Sequence, residues 1–598
     1  MTTIQFCRRA SSRSGRAWAA AAASLAVAAT LGGTPASAQG IAGPYLAAEH
    51  AARISDFETA ATRYGQALAR QPDNTALIDR ALLHHLGADR MAQATALARR
   101  LQALEPGRHM AALMLSVDAL RRDDAAEAGS YLDSESDEAG SFVSGLLQAW
   151  MAYGTGELAE ARTILGDIEE SGTGGAAGRF LAAYHLGLMA IAAGEDDAAL
   201  APLTRAREAA QRPTRRLALA LAGVQSRLGD MEAAQAVLDE RLALSLSDAR
   251  LESAAAMLAG GRPLGRIVDS AADGAAEALY GLSRYLIGGN TELVGLSYAR
   301  LAVHLRPDHV DAILLAAEFL AQKQRYALSV AAYDAVPDGA PEALDARIGR
   351  ASAFEGMEDM DGAEETLRSA IGQWPDEIEV HRALGDLLRR TRAFEAAAVA
   401  YDGAVALVNT PENRHWPLYY QRGIALERSK QWPRAEADFR TALELEPDQP
   451  HVLNYLGYSW VEMGVNLSEA QAMIERAVEQ RPEDGYIVDS LGWVLYRLGD
   501  FEGAVKHLGR AVELRPVDPV INDHYGDALW MVGRRVEAEF QWRRALSFEP
   551  EEEDVVDRIR RKLETGLDVV MAEEEAAGKP AIIGQTEPAA EDAGNDGG

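Results

Sequence analysis

The chain has 598 residues and carries 59 Lys and Arg against 90 Asp and Glu, a formal net charge of −31. A field of that sign repels phosphate, which argues against nucleic acid or anionic lipid as the main partner. Hydrophobic residues are 48% of the chain and charged ones 25%, enough for a packed core, and past the amino-terminal leader no apolar run is long enough to cross a bilayer.

In chain order, the first segment reads as an export signal. Arg8, Arg9, Arg13 and Arg16 precede an alanine-rich apolar run from Ala17 to about Leu31, with no acidic residue among them. The run is shorter than the roughly 20 residues of a membrane span, and it ends before Ala36-Ser37-Ala38, an A-x-A cleavage site. A mitochondrial transit peptide shares the arginines and serines but lacks so clean an apolar block, and Arg8-Arg9 lacks the apolar residues that follow a twin-arginine pair. Residues 1–38 are therefore expected to be removed, leaving a periplasmic chain that starts at Gln39. Loss of the four leader arginines takes its charge from −31 to −35. The sole cysteine, Cys7, lies before the apolar run, so it is not a lipoprotein cysteine, and the mature chain has no disulfide to lean on.

Internal repetition overrides any division by length. Pro482, Pro516 and Pro550 are 34 residues apart, as are Gly423 and Gly457, and Gly492 and Gly526. Each unit reads as a helix pair. The first helix carries Leu456-Gly457, Leu491-Gly492 or Tyr525-Gly526, where the missing side chain lets a second helix come close. The second carries small-large-small sets on one face: Ala435, Phe439, Ala442; Ala470, Ile474, Ala477; Ala504, Leu508, Ala511; Ala538, Trp542, Ala545. A proline five residues later ends it. The same pattern opens the array at Ala60, Tyr64, Ala67 and Pro72, and persists at Ala199, Leu203, Ala206 and at Ala363, Leu367, Ala370.

With this period, the Leu-Gly of the first helix and the A-x3-F-x2-A-x4-P of the second, the chain resembles the tetratricopeptide-repeat family over nearly all of its mature length, about 14 units with some degenerate. The resemblance implies an all-α, right-handed superhelical solenoid of helix-turn-helix repeats. The organisation expected is a half-array over 39–241, a degenerate junction over 242–275 around Gly260-Gly261-Arg262-Pro263, and a second array over 276–550. A capping helix follows over 551–570, with Val555, Ile559, Leu563 and Leu567 on one face and Arg558, Arg561 and Lys562 elsewhere, and then an acidic disordered tail over 571–598.

No constellation for chemistry survives its context. Gly154-Thr155-Gly156 lies between helices with no strand before it, so it is a turn and not a dinucleotide loop. No phosphate-binding loop, nucleophile elbow or H-E-x-x-H occurs, and adjacent His84 and His85 diverge by about 100° on a helix. The chain is expected not to be an enzyme and to hold no metal or cofactor.

In the family that the chain resembles, first helices line a concave groove. Numbering each repeat from its glycine, the resemblance implies that Asn454, Tyr458, Asp489, Trp493, Tyr496, Arg497, Asp523, Asp527 and Trp530 face a protein partner, together with His451, Val461, Glu462, Tyr486 and Met531. Aromatic rings interleaved with amide and carboxylate groups suit an extended peptide. The stretch Asn454-Tyr455-Leu456-Gly457-Tyr458-Ser459-Trp460 also resembles bacterial envelope repeat proteins, among them lipoprotein adaptors that assist carboxyl-terminal processing proteases, though this chain lacks their lipidated cysteine. The function expected is an exported adaptor that binds protein or peptide partners in the cell envelope and assists an envelope protease. The alternative is a structural scaffold for a polysaccharide-export or cell-wall synthesis complex.

Overall fold

A computed structural model describes residues 40–133, 141–210, 214–244, 248–286 and 291–578. The leader at 1–38 and residues 579–598 of the acidic tail lie outside the described residues. Among those described there are 31 α-helices, one short 3-10 turn and no strand, and no helix is long and apolar enough to cross a membrane. The chain is all-α.

The helices come in hairpins with recurring turns. In many, one residue just before the second helix takes a left-handed backbone, and where the next residue is an aspartate it caps that helix. Glu358 (φ 62°) precedes Asp359, which accepts from the Gly362 amide at 3.0 Å; Gly499 (φ 87°) precedes Asp500, which accepts from the Gly503 amide at 2.9 Å. In four hairpins of the second unit the glycine of the first helix seats the large residue of the second: Gly385 meets Tyr401, Gly423 Phe439, Gly492 Leu508 and Gly526 Trp542. A methyl group on Gly492 would stand 2.5 Å from Leu508 Cγ and 3.0 Å from the Leu508 amide nitrogen. The four carboxyl-terminal small-large-small sets are fully buried.

First helices also touch one another along the stack. Pro450–Met463 packs on Gly485–Leu498, which packs on Pro519–Met531. They form the inner face of the stack, with the second helices outside.

The helices form two compact units. The first runs to Gly178 and includes Ser270–Leu315. Its hairpins begin at Ala42–Arg53, and the later pair Ala271–Tyr285 and Glu292–Leu305 lies across their first helices: Ala271–Tyr285 on Ser141–Gly154, and Glu292–Leu305 on Thr75–Gly87 and His109–Leu120. Gly274 rests on the buried Trp150 ring, Arg300 donates to Asp89 at 3.0 Å, and the His109 ring bonds the Tyr298 hydroxyl at 2.9 Å.

The second unit comprises Arg179–Asp269 and the chain from Ala316 on. The units thus interleave in sequence and divide the chain differently from the two half-arrays read from the repeat pattern. The stretch 242–275, read as a degenerate junction, holds a helix at Ala249–Ala259 and then a loop. Arg227 fixes that loop by donating to the Leu264 and Gly265 carbonyls at 3.1 and 3.2 Å, while the Ser226 hydroxyl accepts from the Leu264 amide at 3.0 Å.

The carboxyl end corrects the expectation of one capping helix to 570 and a tail from 571. Two helices stand there, Glu553–Thr565 and Leu567–Ala576, separated by Gly566 at φ 87°. That backbone stops the first helix, and the buried Leu567 and Val570 give the second an apolar face to dock.

Because a methyl group at Gly492 meets backbone as well as side chain, Gly492→Ala is expected to destabilise the array by about 1–3 kcal/mol through overpacking. Calorimetry should show a lower Tm for this variant, with far-UV helicity at low temperature retained.

Candidate partner-binding groove

The inner face of the last three repeats carries one acceptor at the same place in each first helix: Asn454, Asp489 and Asp523. The three fare differently. Asp523 is filled by the chain itself. Lys562, fully buried, donates to Asp523 at 2.8 and 2.9 Å and to Asp527 at 2.6 Å. Arg558 adds a bond to Asp527 at 3.0 Å and is held by Glu574 at 2.7 Å, while Trp542 Nε1 donates to Asp527 at 2.9 Å. Burial raises the Asp527 pKa, but Lys562 and Arg558 outweigh it and hold that carboxyl below the ordinary range. Tyr496 is buried, its hydroxyl 3.7 Å from the Met571 sulfur, and the Trp530 ring lies against Trp542 and Gly566. The helices 553–576 therefore cover the inner face of the last repeat, and Tyr496, Asp523, Asp527 and Trp530, read from sequence as partner-facing, are occupied by this hairpin.

Asp489 is satisfied by the next repeat. His524 Nδ1 lies 3.1 Å from both of its oxygens, and the His524 ring stacks on Trp493 at 4.0 Å between centroids. Trp493 in turn stacks on Tyr496 at 4.8 Å and donates Nε1 to Glu462 at 2.7 Å; Arg497 donates to the same Glu462 oxygen at 3.0 Å. Trp493 and Arg497 are thus buried between first helices, and they bridge repeats. Burial lowers the His524 pKa, yet Asp489, Asp523 and Asp527 together raise it above the ordinary imidazole value.

Asn454 differs from both. Its Oδ1 is buried with no hydrogen-bond partner among the described residues, at the edge of a cavity of about 410 Å³ that remains open on the inner face. Tyr458 and Asp489 also line this cavity, so three of the nine residues singled out from sequence share it. Glu462 and Tyr486 are there as expected, whereas Val461 is wholly buried. Not expected there were Glu427, Arg428, Trp432, Tyr455, Ser459, Met463, Ser490, Val520 and His524. Glu427 and Arg428 were legible: counted from Gly423, they hold the places that Val461 and Glu462 hold relative to Gly457, so the same numbering extended one repeat back finds the pair.

Two outcomes follow from the charges. Lys562→Met leaves Asp523 and Asp527 buried with only Arg558 beside them and is expected to cost about 3–5 kcal/mol, read as a lower Tm and faster amide exchange in 553–576. For His524 the folded pKa lies above the unfolded value of 6.5, so its stabilisation is complete below that pH and fades as the pH rises through the folded value. The Tm gap between the native chain and His524→Gln should therefore be widest below the unfolded value of 6.5 and narrow as the pH rises through the folded value.

Family models described as tetratricopeptide repeat match residues 416–449, and 348–413 with 466–519. In Pseudomonas aeruginosa, TPR repeat-containing protein PA4667 is 30% identical over 150 residues, which are 25% of this chain and 25% of that protein. The chain thus spans about a quarter of the length of this curated relative. Among solved structures, the APC/C hetero-tetramer Cut9-Hcn1 aligns at 15% identity with a TM-score of 0.36, over 78% of this chain and 99% of that one. YrrB, a TPR protein with an unusual peptide-binding site, aligns at 20% identity with a TM-score of 0.26, over 32% and 97%. Residues 348–413, 416–449 and 466–519 of the chain are thus tetratricopeptide repeats, in a stretch built of the helix hairpins described above.

Proposed function

We propose that this chain is an exported adaptor that holds a segment of a protein partner in the groove between Glu427 and His524. The observation that carries the reading is the open cavity there. On a face otherwise closed at its carboxyl end by the chain's own hairpin, it keeps aromatic walls and a buried amide oxygen without a partner. Tetratricopeptide repeats support a role in protein-protein interaction. The arginine-rich leader and its A-x-A site support export to the periplasm, where the partner is an envelope protein such as a protease or its substrate. The role is binding, not catalysis, and it needs no cofactor.

Aromatic anchors in such a cavity carry the largest share of affinity, about 2 kcal/mol or more each. The test is affinity capture from envelope extract with residues 39–598, beside a Tyr458→Ala/Tyr486→Ala variant of matching helicity. An envelope protein held by the native chain and depleted about thirtyfold or more in the variant supports the reading. Equal capture by both refutes the groove. For export, cell fractionation should find the chain in the periplasm with Gln39 at its amino terminus; an unprocessed cytoplasmic chain would sink that part.

A further inference from the structure

The cavity that this reading assigns to a partner is built to receive a cation. We infer that the bound segment places a lysine or arginine side chain, flanked by apolar residues, between Glu427 and Glu462; this rests on the groove reading above. Glu427 accepts the Tyr455 hydroxyl on Oε2 at 3.0 Å, which leaves Oε1 uncommitted. Glu462 accepts Trp493 and Arg497 on Oε1 alone, which leaves Oε2 uncommitted. The Tyr458 hydroxyl makes no hydrogen bond to the described residues, and Asn454 Oδ1 has no donor. The cavity is lined by three carboxylates, Glu427, Glu462 and Asp489, against one arginine, Arg428, whose guanidinium lies 5.2 Å from the Phe394 ring, and His524 is committed to Asp489.

Covering these oxygens with an apolar or acidic segment would strip their water and return nothing, whereas an ammonium or guanidinium supplies the missing donors. The Tyr455 and Tyr458 rings add favourable faces for a cation, and apolar groups of Met463 and Val520 meet the flanking residues. The chain itself uses this chemistry twice. Within the first unit, Arg300 of the helix laid on the inner face bonds Asp89. Within the second, Lys562 and Arg558 of the carboxyl-terminal hairpin bond Asp523 and Asp527. In both cases a helix laid against first helices is anchored by a basic side chain on an aspartate. The net charge of −31 also draws a basic segment toward the groove.

The test uses three fluorescent peptides that differ only in a central residue between leucines: lysine, norleucine or glutamate. They are titrated by anisotropy into the full mature chain and into a Glu427→Gln/Glu462→Gln variant with unchanged Tm. The inference predicts at least tenfold tighter binding of the lysine peptide than of the norleucine one, weakest binding of the glutamate one, and loss of the lysine advantage in the variant and at high salt. Equal binding of lysine and norleucine peptides, abolished by Tyr458→Ala/Tyr486→Ala, would overturn the inference and leave the groove reading standing. A lysine advantage that persists in the glutamine variant, or no binding of the lysine peptide, would overturn it as well.

Discussion

The second unit depends on one recurring contact: a glycine in the first helix of a hairpin against the large residue of the second. Gly385 on Tyr401, Gly423 on Phe439, Gly492 on Leu508 and Gly526 on Trp542 set how closely the two helices approach. That approach buries the flanking alanines, and the buried hairpin then offers its first helix to the next hairpin. With no disulfide to hold it, such a stack draws its stability from contacts between neighbours, so each contact is felt locally and the surface left over is a long inner face.

What happens on that inner face gives the protein its character. In the second unit the last repeat is covered by the helices 553–576, and a fully buried lysine is the fastener. A buried ion pair is a weak source of net stability, because desolvation offsets much of the attraction, but it is costly to break and demanding in geometry. It therefore fixes where the hairpin sits more than how firmly the array folds. The Asn454 position, two repeats earlier, keeps the same inner-face location without an ionic partner from the chain, and the cavity stays open there.

The repeat itself was legible because its signals are local. A 34-residue period, Leu-Gly in one helix and alanines spaced by three and four around a large residue in the next specify the hairpin, and the structure has it from Ala60 to Ala545. The groove was only partly legible. Asn454, Tyr458 and Asp489 line the open cavity, but Trp493 turns onto His524 of the next repeat and Arg497 back to Glu462 of the one before, since long side chains of a first helix reach a neighbouring repeat as readily as the groove. Lys562 was misread as a solvated cation. Seven residues from Val555 and three from Ile559, it shares their helical face, and it is held there by two aspartates 39 and 35 residues upstream. Arg561, its neighbour, is exposed and paired with Glu573, as a surface arginine should be.

The central claim is that partners bind on the open inner face and not on the outside of the stack. Site-specific photocrosslinking tests it most directly, with p-benzoylphenylalanine placed either at Tyr486, an exposed residue lining the cavity, or at Phe540, an exposed residue of an outer helix. The account predicts a crosslinked partner from position 486 and none from position 540. A partner captured from 540 alone would place binding on the outer surface and contradict it.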